Sequence, residues 1–387
     1  MNRHIFDVII VGAGPGGSCL AAKLAQGGYD VLLLEKCSLP RYKVCGGGIT
    51  KRAFNKMPID ISSVIRDEVD TFEVELNGEN QRVFRHGNPF VFSVMRDELD
   101  YLLVNYAISC GADLKTGAFV KDVVEHEDKV IVTTRDQVYE ARYVVGADGV
   151  NSLVAKQVGL MAQRRKASAL EYEIQVDDLE LEKYKGRIVI DYGIIPYGYA
   201  WIFPKKNHLS VGIGSYTFAH QEMPKLLMKF MSRRQLSGKF LSAKGSFLSA
   251  GGVQQPIMTN RVALIGDAAG LVEAFAGEGI YYAIWSGELL YERLKESLDG
   301  NAEAFLRYQL DVDAQILAEL KIIERMAHLF YQNTRMAHQV ITRFPQLMTF
   351  GFEVLEGTVS YKAMYQRLKD QMSISGVMKK VKGYFSQ

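Results

Sequence analysis

Apolar and polar positions along the first 36 residues alternate in blocks that predict strand, helix and strand. "FDVIIV" (6–11) is an apolar run of strand length, which suits a strand buried on both faces. "SCLAAKLAQGG" has its apolar residues at helical spacing and predicts a helix stopping at Gly27 or Gly28, and "DVLLLEK" is the next buried strand. Further on, "TFEVEL", "FVFSVM" and "KVIVTT" alternate as strands do, while "MRDELDYLLVNYAISCGA" between them has helical spacing and a glycine stop. "ARYVVGADGVNS" reads as strand, tight turn and helix. Residues from about 166 to 256 hold the short strands "YEIQV", "RIVIDYG", "YAWIFP" and "LSVGIGSY", which predict an antiparallel sheet as a second layer. A buried strand returns in "RVALIGDAAG", and from "GEGIYYAIWSGELLYERLKESL" onward the periodicity is helical.

Composition adds limits. The 387 residues, 48% hydrophobic and 23% charged, suffice for a sizeable core and two or three subdomains. A net charge of +2 gives no reason to expect nucleic acid as a partner. "FDVIIV" is too short for a secretory leader, and no apolar run reaches the roughly eighteen residues needed to span a bilayer, so a cytoplasmic protein, free or peripherally attached, is expected. Cys19, Cys37, Cys45 and Cys110 form no CxxC pair or His/Cys ligand spacing, so neither metal nor disulfide framework is expected. Cys19 and Cys110 read as core fillers.

The chemistry begins at the first turn. Gly12, Gly14 and Gly17, with Pro15 among them, make G-x-G-x-x-G between strand and helix, and Glu35 closes the second strand eighteen residues after Gly17. Such glycines permit a tight turn and close approach of a pyrophosphate to a helix N-terminus, while the glutamate can accept hydrogen bonds from a ribose. Dinucleotide binding follows. Arg96, opening "MRDELDYLL", is a candidate second cofactor contact. "RYKVCGGGIT" sets Cys45 before Gly46, Gly47 and Gly48, a run that suits backbone turning sharply or lying against something flat.

"RVALIGDAAG" and "VVGADGVNS" resemble the GD and DG motifs of the FAD-binding fold shared by aromatic hydroxylases and their relatives. The resemblance makes FAD the cofactor, sets Asp267 at its ribityl or ribose region, and has Asp148 orient its own turn near the pyrophosphate. Gly279 and Ile280 then stand at a helix start whose N–H groups and dipole suit negative charge developing around flavin N1 and O2. With one G-x-G-x-x-G in the chain, a nicotinamide donor would visit without a Rossmann domain of its own.

Together "PRYKVCGGGIT", "SVMRDELD", "GADGVNS", "YGYAWIFP" and "GDAAGLVEAFAGEGI" look like the geranylgeranyl reductase family of FAD enzymes, over most of residues 5 to 290. Archaeal members of that family saturate the isoprenoid chains of membrane lipids. The resemblance implies Cys45, Gly46 and Gly48 against the flavin, backbone contact of Val120 with the adenine region, and Tyr199 and Trp201 in the wall of a lipid cavity. The aromatics could equally fill a strand's core face. One departure is the pair Glu273 and Ala274, where the family often carries Asn-Pro.

The expected architecture is α/β: a discontinuous Rossmann-like FAD-binding domain (1–66, 96–165 and 257–300), an antiparallel-sheet substrate domain (67–95 and 166–256) and a C-terminal helical region (301–387). The expected activity is reduction of carbon–carbon double bonds of an isoprenoid or similarly apolar lipid substrate, with Cys45 as the candidate catalytic group and NAD(P)H or ferredoxin as donor. A flavin monooxygenase of the aromatic-hydroxylase type is the alternative. A halogenase fits less well, since "YGYAWIFP" lacks that group's first tryptophan, and a flavoprotein that only binds or assembles is a third class. At the C-terminus, Lys362, Arg367, Lys379, Lys380 and Lys382 interleave with Met, Val, Tyr and Phe, which suits either an anionic membrane surface on the inner face or a solvated closing helix.

Overall fold

The computed structural model describes residues 4–163, 165–217, 221–251 and 254–374. Lys379, Lys380 and Lys382 of the basic C-terminal stretch lie outside the described residues; Tyr361–Ile374 is a helix.

The first βαβ unit forms as the apolar pattern requires. Strand Ile5–Val11 pairs in parallel with Val31–Leu34 on one side and Val138–Gly146 on the other, and helix Pro15–Gln26 crosses between the first two. Val8, Ile9 and Ile10 are buried, as are Val31, Leu32, Leu33 and Leu34 in the neighbouring strand, each such side chain contributing about 1.5–3 kcal/mol when fully removed from water. Strand Val138–Gly146 is shared: its first half pairs antiparallel with Val130–Thr134, and its last residues pair in parallel with Val262–Leu264. With Asp113–Lys115 and Val120–Glu125 at the edges this makes a seven-stranded sheet. The loops that follow Val11, Leu34, Gly146 and Leu264 therefore emerge at one end, where ligands bind in open α/β sheets.

The second seven-stranded sheet runs Lys239–Ser249, Lys166–Gln175, Leu209–Ser215, Gly198–Pro204, Arg187–Tyr192, Thr71–Leu76, Glu79–Arg85. Every pairing is antiparallel except Thr71–Leu76 with Arg187–Tyr192, which is parallel because a long connection separates those strands in the chain. Alternation along Gly198–Pro204 divides its side chains between two faces. Ala200 and Ile202 join Val211 and Ile213 against Leu227 and Phe230 of helix Met223–Arg233, and Tyr199, Trp201 and Phe203 point the other way.

"FVFSVM" contributes to neither large sheet. Val91–Val94 lies between Gly48–Thr50 and Ile65–Val69 in a small antiparallel sheet. The expected boundary at residue 66 therefore falls inside a strand: "IRDEV" is too polar to announce one, and only pairing with Val91–Val94 makes it so.

Beyond residue 280 the chain is helical, from Ile280–Leu298 to Ala318–Gln332, Thr334–Arg343, Gln346–Glu356 and Tyr361–Ile374. Among the described residues no helix is long and apolar enough to cross a membrane. Cys19 is buried, and desolvation pushes its thiol well up; Cys110 ends helix Arg96–Ser109 and is only partly covered.

Candidate active site

The glycines of the first turn have separate tasks. Gly12 has φ +109°, and a Cβ there would stand 2.4 Å from the carbonyl oxygen of Ala147. A Cβ on Gly17 would stand 2.0 Å from the carbonyl oxygen of Gly12, so both residues must be glycine for the turn to close. A Cβ on Gly14 would meet nothing within 4 Å. Gly14 caps helix Pro15–Gln26, whose first turn begins with Pro15 and carries no acid, so the N–H groups and positive dipole end face a cradle suited to a phosphate.

Glu35, 3% exposed, binds this turn to the next loop. Its Oε2 accepts from the Ala13 N–H at 3.1 Å and its Oε1 from the Cys37 N–H at 3.0 Å. Arg41 reaches Oε2 at 3.3 Å and Asp100 at 3.0 Å. An ionised carboxylate has about four lone-pair positions, so Glu35 keeps capacity for a ribose hydroxyl. Val120 is buried nearby, just beyond Ala118, whose N–H donates to the Glu35 carbonyl at 2.9 Å.

Asp148 stands against Gly12, and its Oδ2 accepts from the N–H groups of Leu153 and Val154 at 2.7 and 3.2 Å. It orients its own turn, and burial raises its pKa. Asp267 sits in the turn Gly266–Ala269, where Ser249 Oγ donates to its carbonyl at 2.9 Å. Its Oδ1 lies 3.3 Å from where a Cβ of Gly279 would stand, which brings the aspartate to the start of helix Ile280–Leu298. That start has no side-chain cap, leaving the Gly279 and Ile280 N–H groups directed outward.

The Cys45 loop packs on the second large sheet and the small one. Gly47 has φ +70° and would place a Cβ 2.1 Å from the Val94 carbonyl oxygen. A Cβ on Gly46 would come within 3.2 Å of Trp201 Nε1 and Phe203, and one on Gly48 would come within 2.6 Å of Phe203. The run of glycines is thus already required on one side, where aromatic rings of the second sheet press on the loop. The Cys45 sulfur accepts from the Gly47 N–H at 3.4 Å and lies near the Arg96 guanidinium. Arg96 is buried; burial opposes its charge, but Asp100, bonded to it at 2.9 and 3.0 Å, outweighs that and raises its pKa. Lys43 remains exposed at the cleft, where the surrounding walls and Arg96 lower its pKa while Asp267 and Cys45 act in the opposite sense.

Tyr199 and Trp201 lie on the cleft face with ring centroids 6.0 Å apart. The Tyr199 hydroxyl donates to the Ala276 carbonyl, and burial raises its pKa. Trp201 is 7% exposed and fills the space over Gly212, where a Cβ would stand 2.1 Å from its ring. Trp201→Ala is therefore expected to destabilise the protein by about 3–5 kcal/mol, read as a lowered urea midpoint, as well as to open the wall.

Glu273, at the sequence departure, is fully buried. Its carboxylate accepts from the N–H groups of Phe275 and Ala276, both at 2.7 Å, and so shapes the loop entering helix Ile280–Leu298. Burial pushes its pKa up to about 7 from an ordinary 4.5, against those two hydrogen bonds. A carboxyl that holds its proton more tightly in the fold than in the unfolded chain lends most stability below its unfolded value. Stability then falls as pH rises from about 4.5, by about 3 kcal/mol once pH passes 7. Glu273→Gln should flatten that part of the decline in Tm between pH 5 and 8. Asp191, whose burial also lifts it to about 7, keeps its own share in the variant. Equal slopes in the two proteins would show that Glu273 stays ionised.

Sequence reasoning missed Asp100, Glu171 and Lys205, which hold Arg96 and the Cys45 loop. Glu171 alternates with Leu170 and Tyr172 in a strand, a pattern that reads as solvent-facing until the loop is seen to cover it. Among the described residues no group of three His, Cys, Asp or Glu side chains is placed to hold a metal ion.

The chemistry at this end of the sheet suits a dinucleotide: the helix entered through the Gly14 cradle packs at Gly16 on Ala283, one turn into the helix that starts uncapped at Gly279, and Asp267 stands at that start with Lys43 within its electrostatic reach. An FAD-binding domain family model matches residues 6–311. The chain is 31% identical over 320 residues to a digeranylgeranylglycerophospholipid reductase of Thermoplasma volcanium, covering 76% of this chain and 79% of that one. It is 28% identical over 360 residues to the chloroplastic geranylgeranyl diphosphate reductase of Arabidopsis thaliana, covering 86% and 75%. The crystal structure of a geranylgeranyl bacteriochlorophyll reductase-like protein from Thermoplasma acidophilum shares the fold, with a TM-score of 0.80 and 24% identity over 95% of this chain and all of that one. The FAD-type cleft and the likeness along most of the chain agree, and the protein belongs to the geranylgeranyl reductase family of FAD-dependent oxidoreductases.

Proposed function

We propose that the protein saturates carbon–carbon double bonds of an isoprenoid chain carried by a lipid or a diphosphate. The observation that carries this reading is the Cys45 loop, packed between the FAD-type cleft and the aromatic face of Tyr199, Trp201 and Phe203. Bound FAD supplies hydride transfer, with its two electrons drawn from NAD(P)H or ferredoxin. Gly12, Gly14, Pro15 and Gly17 hold the pyrophosphate, Glu35 and Val120 the adenosine side, and Asp148 keeps its turn in place. Asp267, Arg96, Gly46, Gly48 and the helix start at Gly279 and Ile280 hold the flavin side. The second sheet serves as the substrate-binding unit, with Tyr199 and Trp201 excluding water from an apolar chain.

An isolated alkene has no carbonyl to take up charge, so hydride addition at one carbon and proton addition at the other must be nearly concerted in a dry site. Cys45 is the proton donor: its Sγ accepts from the Gly47 N–H, with the Arg96 guanidinium nearby. Each double bond then gains one hydride and one proton. The protein works at the inner face of the membrane, which it meets peripherally through its basic C-terminal stretch.

Anaerobic incubation of the FAD-loaded, reduced protein with geranylgeranyl diphosphate, followed by product mass spectrometry, tests the reading. A gain of two hydrogens per bond is expected. A gain of one oxygen on admitting air would replace it with a monooxygenase.

A further inference from the structure

The loop that carries Cys45 is held from below by two buried charges of opposite sign. The Cys45 N–H donates to Glu171 Oε1 at 3.2 Å. One residue further on, the Gly46 carbonyl accepts from Lys205 Nζ at 2.6 Å. Glu171 is fully buried in strand Lys166–Gln175, and Lys205, 2% exposed, directly follows strand Gly198–Pro204. Lys205 also donates to Ser93 Oγ at 3.0 Å and to the Val94 carbonyl at 2.9 Å, so one ammonium joins the loop, the small sheet and the second large sheet. Tyr42, at the start of the loop, donates to the same Glu171 oxygen at 2.8 Å. Burial raises the carboxyl, with Glu173 adding to the effect and Lys205 opposing it, and burial lowers the ammonium, against the charges of Glu173 and then Glu171.

Burying two ions is costly, and a loop that needed only to pack could be held by apolar contacts without that penalty. The placement gains direction: the peptide N–H entering Cys45 and the carbonyl one residue further on are fixed independently, so the backbone that carries the Cys45 side chain is held on both sides. We propose that Lys205 and Glu171 are positioning residues that fix the Cys45 thiol relative to the cleft. The proposal rests on the reading of Cys45 as the group that faces the reacting carbon. A displacement of about 1 Å in such a group can lower a rate by about a hundredfold.

The test uses the full-length, FAD-loaded protein and three variants: Lys205→Met, Glu171→Leu and Glu171→Gln. The first two remove a grip while keeping side-chain bulk, and the third keeps an acceptor oxygen for Cys45 and Tyr42. Iodoacetamide labelling is followed at the Cys45 peptide by mass spectrometry, with the Cys37 peptide as internal reference. Lys205→Met and Glu171→Leu should label Cys45 at least about fivefold faster than the parent at unchanged Cys37 rate, and Glu171→Gln should return it to within about twofold. With geranylgeranyl diphosphate, kcat should fall about tenfold or more in the first two at nearly constant KM, and recover in the third. If Lys205→Met fails to fold, the two Glu171 variants decide the matter. Parental labelling and kcat in Glu171→Leu, or equal loss in Glu171→Leu and Glu171→Gln, would overturn the proposal. A parent protein that leaves geranylgeranyl diphosphate unreduced while the labelling pattern holds would remove the proposed function and leave the positioning role standing.

Discussion

Gly12→Ala is expected to purify without flavin and to be destabilised by about 3 kcal/mol or more. The turn at Gly12 has φ +109°, a region an alanine enters only with strain, and the added Cβ would stand 2.4 Å from the Ala147 carbonyl oxygen. The overlap is with backbone at the sheet's crossing point, beside the Asp148 turn, so relief requires moving strand ends. Gly14→Ala provides the contrast, since its Cβ would meet no protein atom within 4 Å. That variant should melt like the parent yet bind FAD at least about tenfold more weakly, because the only thing obstructed is close approach of a phosphate to the helix start. Flavin absorbance per protein, with FAD titration of the apo forms and thermal melts, separates the two. A Gly12→Ala protein that keeps FAD and parental Tm would mean the turn is looser than its geometry implies.

The second large effect concerns the thiol. Cys45→Ala should retain FAD and accept electrons from the donor at the parental rate, yet lose at least about tenfold in reduction of geranylgeranyl diphosphate, the low side of usual acid–base contributions. Alanine removes the sulfur that accepts from the Gly47 N–H but keeps the Val94 and Phe203 contacts of Gly46–Gly48 and the Glu171 and Lys205 bonds to the backbone, so the loop should persist. Stopped-flow absorbance follows the two half-reactions separately. A slowed reductive half with an intact oxidative half, or no change in either, would show that Cys45 is not the proton donor.

The expectation for Glu35 illustrates how far a motif reaches. Its distance from the glycines announced a carboxylate at the end of the second strand, and that is where it lies. The motif did not announce that the Ala13 and Cys37 N–H groups and Arg41 already occupy it, because those contacts depend on how the following loop folds back. Asp148 is similar: the strand-turn-helix pattern was legible, and its service to the Leu153 and Val154 N–H groups was seen once the turn was built.

The features legible along the chain are local and periodic. Uninterrupted apolar runs made the parallel strands, glycine spacing made the phosphate-type turn, and alternation separated Ala200 and Ile202 from Tyr199 and Trp201, because backbone sterics and burial act within a few residues. Tertiary structure alone decided which strand joined which sheet, as when Val91–Val94 paired with Gly48–Thr50 in place of the large sheets. It also decided the meaning of the three glycines after Cys45: they are small because Phe203, Trp201 and the Val94 carbonyl press on them from segments far along the chain. Glu171 and Lys205 carry the same lesson, since a charged residue in an alternating strand looks solvated until a distant loop supplies both its partner and its burial.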